Sequence, residues 1–135
     1  MSAAKDVKDD RKYTKEHEWA LEQGQEVLIG ISAFAVDQLG DITLVNLDVK
    51  AGDSVEAHKA FGTIESVKTL SDLYAPVSGK VLRVNAALEE KPELINEDCW
   101  GQGWMIAVAP SRLAQESQGL LSPTDYAAHL EKSDH

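Results

Sequence analysis

Apolar residues recur at every second position along several short stretches of the chain, and glycine, proline and charged residues fill the gaps between them. That period belongs to half-buried strands, because successive strand side chains point to opposite faces. Trp19 to Leu21 and Val27 to Ile31 read as two strands around the turn Glu22-Gln23-Gly24-Gln25, with Val27, Ile29 and Ile31 on one face. Thr43, Val45, Leu47 and Val49 alternate with polar neighbours such as Asp48 and Lys50 in the same way. Between these stretches Ser32 predicts the N-cap of a short helix anchored by Phe34 and Leu39, and Gly40 a left-handed stop. Ser122-Pro123-Thr124-Asp125 supplies a cap, a proline suited to the first helical position and an acid in the first turn, which predicts a C-terminal helix over about residues 122–132.

The β pattern repeats. Shifted by 39 positions, Gly40, Ile42, Val45 and Asn46 fall on Gly79, Val81, Val84 and Asn85. Further along, Val49 falls on Leu88, Val55 on Leu94, and Phe61-Gly62 on Trp100-Gly101. Self-similarity of this kind points to a duplicated supersecondary unit, here two β units. Ala51-Gly52-Asp53 and Lys91-Pro92-Glu93 mark a turn in each. The segment from Ser66 to Ser78 joins the copies, so Lys68 falls at or near a hairpin turn and projects into water. Position alone leaves it one solvated lysine among many. Its place at the junction of two repeated halves sets it apart.

A chain of 135 residues suits one core: a flexible lead-in over 1–11 and a single domain over 12–135. Net charge is −10, with 23 acidic against 13 basic side chains, which argues against nucleic acid or an anionic membrane as partner. No stretch is apolar enough to span a bilayer, and the opening residues, with no apolar run and several acids, are not expected to form a secretory or transit segment. Cys99 is the only cysteine, so no internal disulfide forms; a small buried hydrophobe in a reducing, cytoplasmic setting is expected. Nucleophile-elbow, Walker, zincin and dinucleotide motifs are missing, and His17, His58, His129 and His135 have no metal-ligand spacing. His17, between Glu16 and Glu18, reads as a solvated loop histidine, and Tyr13, Trp19, Trp100 and Trp104 as packing. The chain therefore reads as a monomeric carrier or binder with no catalytic centre and no metal site.

A lysine held out on a turn has one chemistry of its own, acylation of its amine by a prosthetic group. The stretches KYTKEHEW, GISAFAVDQLGDI, FGTIESVKTLSD, APVSGKVLRVN and ELINEDCWGQGWMI, in that order over about Lys12 to Val108, closely resemble the glycine cleavage system H protein family. The resemblance implies a mainly β, barrel-sandwich hybrid of the lipoyl/biotinyl-carrier type, with lipoate joined covalently to Lys68. It also implies the partners: the decarboxylating P protein, the aminomethyltransferase T protein, the dihydrolipoyl dehydrogenase L protein and lipoate-attaching enzymes. The resemblance also implies that Glu65 and Asp72, matching acids that flank that lysine, are read by lipoate-attaching enzymes or partners, and that Glu18 and Asp72 match positions used near the loaded arm. The family often carries histidine where this chain has Gln38, and Leu-Pro where it has Leu47-Asp48. A biotin carrier would share the fold, but its lysine usually sits between methionines, whereas Val67 and Thr69 flank Lys68; a non-carrier interaction module would make no use of Lys68.

Overall fold

The computed structural model describes residues 7–133. Nine strands, numbered in chain order, form two antiparallel sheets and no closed barrel among the described residues. The larger sheet holds, in spatial order, β1 (Lys12–Tyr13), β2 (Glu18–Gln23), β3 (Glu26–Ile31), β9 (Ile106–Pro110), β8 (Gly79–Val84) and β5 (Ser54–Val55). The smaller holds β4 (Ile42–Leu47), β6 (Ala60–Ser66) and β7 (Leu70–Tyr74). This is the mainly β sandwich the alternation predicts. Val27, Ile29 and Ile31 of β3 are buried in one cluster with Val45, Ile64 and Leu73 of the smaller sheet and Val81, Ile106 and Val108 of the larger. Each such side chain contributes roughly 1.5–3 kcal/mol by leaving water.

Strand β4 departs from strict alternation. Ile42 pairs with Ser66 and Leu44 with Glu65, so Thr43 is an extra residue on its strand. The bulge turns Thr43 outward, where the simple period expects it inward, and returns the register at buried Val45. Close approach governs β6: a Cβ on Gly62 would collide with the Asn46 carbonyl oxygen on β4.

The two expected β units are only partly alike. Their first strands, β4 and β8, lie in different sheets. The first unit continues into β5 and β6, but the second continues into two short helices, α2 (Ala87–Glu90) and α3 (Leu94–Asp98). Ala86 to Asp98 is rich in alanine, leucine and glutamate and lacks β-branched alternation, and buried Ile95 and Cys99 stand four apart on one helical face. Local propensity therefore overrides the repeat after Val84.

The other helices follow their caps. Helix α1 (Ala33–Leu39) starts at Ser32, whose hydroxyl accepts from the Ala35 amide, and buries Phe34 and Leu39. A short helix α4 (Leu113–Glu116) precedes the C-terminal helix α5 (Pro123–Ser133), where the Ser122 hydroxyl accepts from the Asp125 amide at 3.1 Å. Tyr126 and Leu130 of α5 pack with Tyr13, Trp19 and Phe34 in a second cluster, and the Tyr126 ring stacks on Tyr13 at 4.3 Å. Residues 1–6 of the expected lead-in, and His135, lie outside the described residues. From Lys8 onward the lead-in is tied down: the Lys8 amide donates to the Tyr13 hydroxyl, and the Arg11 guanidinium lies 4.5 Å from the Trp19 ring and 5.3 Å from Trp100. Among the described residues no helix is long and apolar enough to cross a membrane. Cys99 is buried, and burial pushes its thiol up to about 11, so it remains a protonated core side chain near neutrality.

Candidate functional site

Strands β6 and β7 form one hairpin, with Glu65 opposite Leu70, and the turn Ser66-Val67-Lys68-Thr69 closes it. The Ser66 amide donates to the Thr69 carbonyl at 2.9 Å. The Ser66 hydroxyl accepts from the amides of Lys68 at 3.1 Å and Thr69 at 3.2 Å. One serine thus holds both backbone amides of the tip. The Val67 amide donates to the Asp41 carbonyl at 3.0 Å, which ties the tip to the neighbouring chain. Lys68 is exposed on this framework.

The lysine stem is not free in space. It passes over Gly40, where an added Cβ would lie 3.4 Å from Lys68 Cε. Gly40 ends α1 at φ 78°, a conformation that favours glycine. Asn96 of α3 fixes this platform from behind: its side-chain amide donates to the Gly40 carbonyl at 3.0 Å, and its oxygen accepts from the Ile42 amide at 2.9 Å. Asn96→Ala removes both bonds. We expect it to lower stability by about 1–2 kcal/mol, read as a fall of several degrees in Tm, and to slow any modification of Lys68 by loosening its platform. An unchanged Tm would show that Asn96 does not hold Gly40.

Beyond Leu39 the chain borders a cleft of about 130 Å³ between α1, the 16–18 segment and β7. Its apolar wall includes Ile31, Leu39, Ile64 and Leu73, and its polar lining Glu16, His17, Glu18, Gln38 and Asp72. Two predicted site residues, Glu18 and Asp72, therefore meet in one cleft, and Lys68 lies over the residue that follows Leu39. Gln38 also lines it. Glu65 does not: it stands exposed on the outer face of the smaller sheet.

Glu18 is no surface charge. Its exposure is 1%, and its oxygens accept from the Thr14 hydroxyl at 2.8 Å and the Tyr74 amide at 3.3 Å. Burial raises its carboxyl to about 8, against the smaller opposing pull of those two bonds. Asp72 is exposed and accepts from the Tyr74 hydroxyl at 3.3 Å.

His17 differs from the solvated loop histidine expected. It is half-buried, with Nδ1 2.8 Å from the Tyr126 hydroxyl and its ring 4.6 Å from that of Phe34. Burial first, and nearby His129 second, push it down to about 4, so it is neutral near pH 7. Thr14, Ser66, Tyr74 and Asn96 all support the site without having been singled out from sequence. Only Ser66 carried a readable signal, a hydroxyl two residues before the displayed lysine.

The arrangement has two chemical capacities: it displays a primary amine on a braced turn, and beside that amine it offers an apolar wall ending in carboxyls. Residues 11–133 match the family described as Glycine cleavage H-protein. The glycine cleavage system H protein of Rubrobacter xylanophilus is 48% identical over 129 residues, spanning 96% of this chain and 98% of that one. That of Carboxydothermus hydrogenoformans is 50% identical over 126 residues, spanning 93% and 95%. The crystal structure of a glycine cleavage system H protein from Mycobacterium marinum superposes with a TM-score of 0.81 at 38% identity, covering 90% of this chain and 97% of that chain.

Proposed function

The chain belongs to the glycine cleavage H-protein family, and on that premise we propose that it carries lipoate on Lys68 as the non-catalytic shuttle of the system. In this reading it takes the aminomethyl group of glycine from the P protein to the T protein, and the L protein restores the oxidised arm. The lipoyl group, when bound, supplies a disulfide that accepts a carbon unit together with two electrons. The protein's own residues do the rest. The observation that carries the reading is the braced display of Lys68 over Gly40, beside a cleft whose composition fits such an arm. Ile31, Leu39, Ile64 and Leu73 match an apolar chain, and Glu18 and Asp72 match a cationic nitrogen at its end. Ser66 and Asn96 keep the amine and its platform in register. Protein surfaces of the P, T and L enzymes and of lipoate-attaching enzymes are the partners, and the cytoplasm is the compartment.

Intact mass after growth with lipoate tests the proposal. One lipoyl increment, located at Lys68 by peptide mapping, is the expected result. A biotinyl increment, or none in the presence of an active lipoate-attaching enzyme, would overturn it.

A further inference from the structure

Three side chains from distant segments form one hydrogen-bonded line that ends at the cleft. The Ser32 hydroxyl lies 2.6 Å from the Tyr126 hydroxyl, and the Tyr126 hydroxyl lies 2.8 Å from His17 Nδ1. Ser32 is 1% exposed and Tyr126 fully buried, so neither hydroxyl can give its proton to water. The protons then have one arrangement. The Ser32 oxygen accepts from the Ala35 amide, and among the described residues the acceptor within reach of its own proton is the Tyr126 oxygen. Ser32 therefore donates to Tyr126. The single Tyr126 proton is left with His17 Nδ1 as its partner. A ring nitrogen that accepts carries no proton, so the imidazole is neutral and its proton sits on Nε2.

The backbone holds this ring in place as well. His17 stands at φ 76°, a left-handed conformation uncommon outside glycine. Its amide donates to the Thr14 carbonyl at 3.1 Å, and its carbonyl accepts from the Ser32 amide at 2.9 Å. Among the described residues Nε2 has no hydrogen-bond partner, and no buried side-chain nitrogen is left unpartnered, so Nε2 must reach solvent. His17 lines the cleft with Glu18 and Asp72, which leaves this N–H open to what the cleft holds. We propose that Ser32 and Tyr126 are positioning residues that lock His17 as a neutral Nε2–H donor in the cleft, and that this donor binds a sulfur of the carried arm while Glu18 and Asp72 hold the cation at its end. This rests on the arm entering the cleft, as proposed above. When the arm's disulfide opens, one sulfur takes the carbon unit and the other is left as a thiol or thiolate, which accepts from an N–H. A neutral donor suits that neighbourhood. An imidazolium would compete with the cationic nitrogen for the two carboxyls and could protonate the cargo, and a neutral N–H does neither.

The test starts with the unmodified full chain labelled with nitrogen-15, by long-range proton–nitrogen correlation of the histidine rings. His17 should show a bare Nδ1 and a protonated Nε2. Tyr126→Phe keeps the ring that stacks on Tyr13 but removes the donor, and should leave His17 a mixture of both tautomers. On the lipoylated, glycine-loaded carrier the Nε2 resonance should move. Two variants then keep different parts of the ring: asparagine puts an amide near the place of Nδ1 and tolerates a left-handed backbone, and glutamine reaches the place of Nε2. With the T protein absent, His17→Asn should release formaldehyde from the loaded carrier roughly threefold faster or more, the loss of one hydrogen bond, and His17→Gln should recover most of the difference. An Nδ1–H tautomer in the parent, a parent-like ring in Tyr126→Phe, or an Nε2 resonance unmoved by loading would overturn the inference. So would equal release from His17→Asn and the parent, or release from His17→Gln as fast as from His17→Asn. A parent that takes up no lipoyl group would instead sink the proposed function, while the ring tautomer, measured without the arm, stands or falls by itself.

Discussion

We expect Lys68→Arg to abolish lipoyl attachment and to leave the unfolding transition where it was. The backbone bonds that shape the turn come from Ser66, the Lys68 amide, Thr69 and Val67, and an arginine backbone supplies the same donors. The arginine stem also covers Gly40 as the lysine stem does. The chemistry is what changes, because a guanidinium stays protonated and offers no lone pair for acylation. Intact mass after growth with lipoate should therefore show the unmodified chain only, against a single increment on the parent. Thermal unfolding of the two unmodified proteins should agree to within about 0.5 kcal/mol, the usual range for an exposed substitution. A retained adduct would move the attachment site elsewhere. A large loss of stability would mean that Lys68 is part of the structure and not merely displayed by it.

The second large effect is on stability and depends on pH. Glu18 has its carboxyl raised from an ordinary 4.5 to about 8, chiefly by burial. Between those values the folded chain holds a proton that the unfolded chain has released. Stability from this group is therefore complete at low pH and is lost as pH rises through about 8. Across pH 5 to 8 the loss is about 3 kcal/mol. Glu18→Gln keeps the shape and can still accept from the Tyr74 amide, but it has no charge to bury. Its Tm should lie close to the parent's at pH 5 and exceed it at pH 8 by on the order of 10 °C. Parallel Tm curves across that interval would show that Glu18 is ionised throughout.

On the proposed function, the same residue would link stability to cargo. A cation brought into the cleft favours the ionised carboxylate, so its arrival offsets the burial cost that Glu18 otherwise avoids by keeping its proton. The glutamine variant lacks that response. Its loaded form should release formaldehyde faster than the parent's when the T protein is absent, while lipoyl attachment at Lys68 stays normal. Equal release rates would leave cargo protection to Asp72 and the apolar wall.

What the sequence determined by itself was local. Two-residue alternation placed β2, β3 and β4, the Ser32 and Ser122 caps placed α1 and α5, and the turn around Lys68 followed from the segment joining the repeated stretches. Each of these depends on neighbours a few residues apart, where period, cap and turn chemistry act. The repeat misled beyond Val84 for the same reason: its register was set by sparse apolar matches, while the alanine- and glutamate-rich stretch that follows prefers helix. The tertiary structure alone decided the environment of each site residue. The resemblance marked Glu18 as a position near the loaded arm but not its environment, and only the packing of its segment against Tyr74, 56 residues away, takes it out of water. His17 lost its solvent to α5, more than a hundred residues downstream. Asn96 came to brace Gly40 through the placement of a helix that no local pattern encodes. Burial, and with it the protonation of a carboxyl or an imidazole, is set by what the folded chain excludes, and it exists only once distant segments have met.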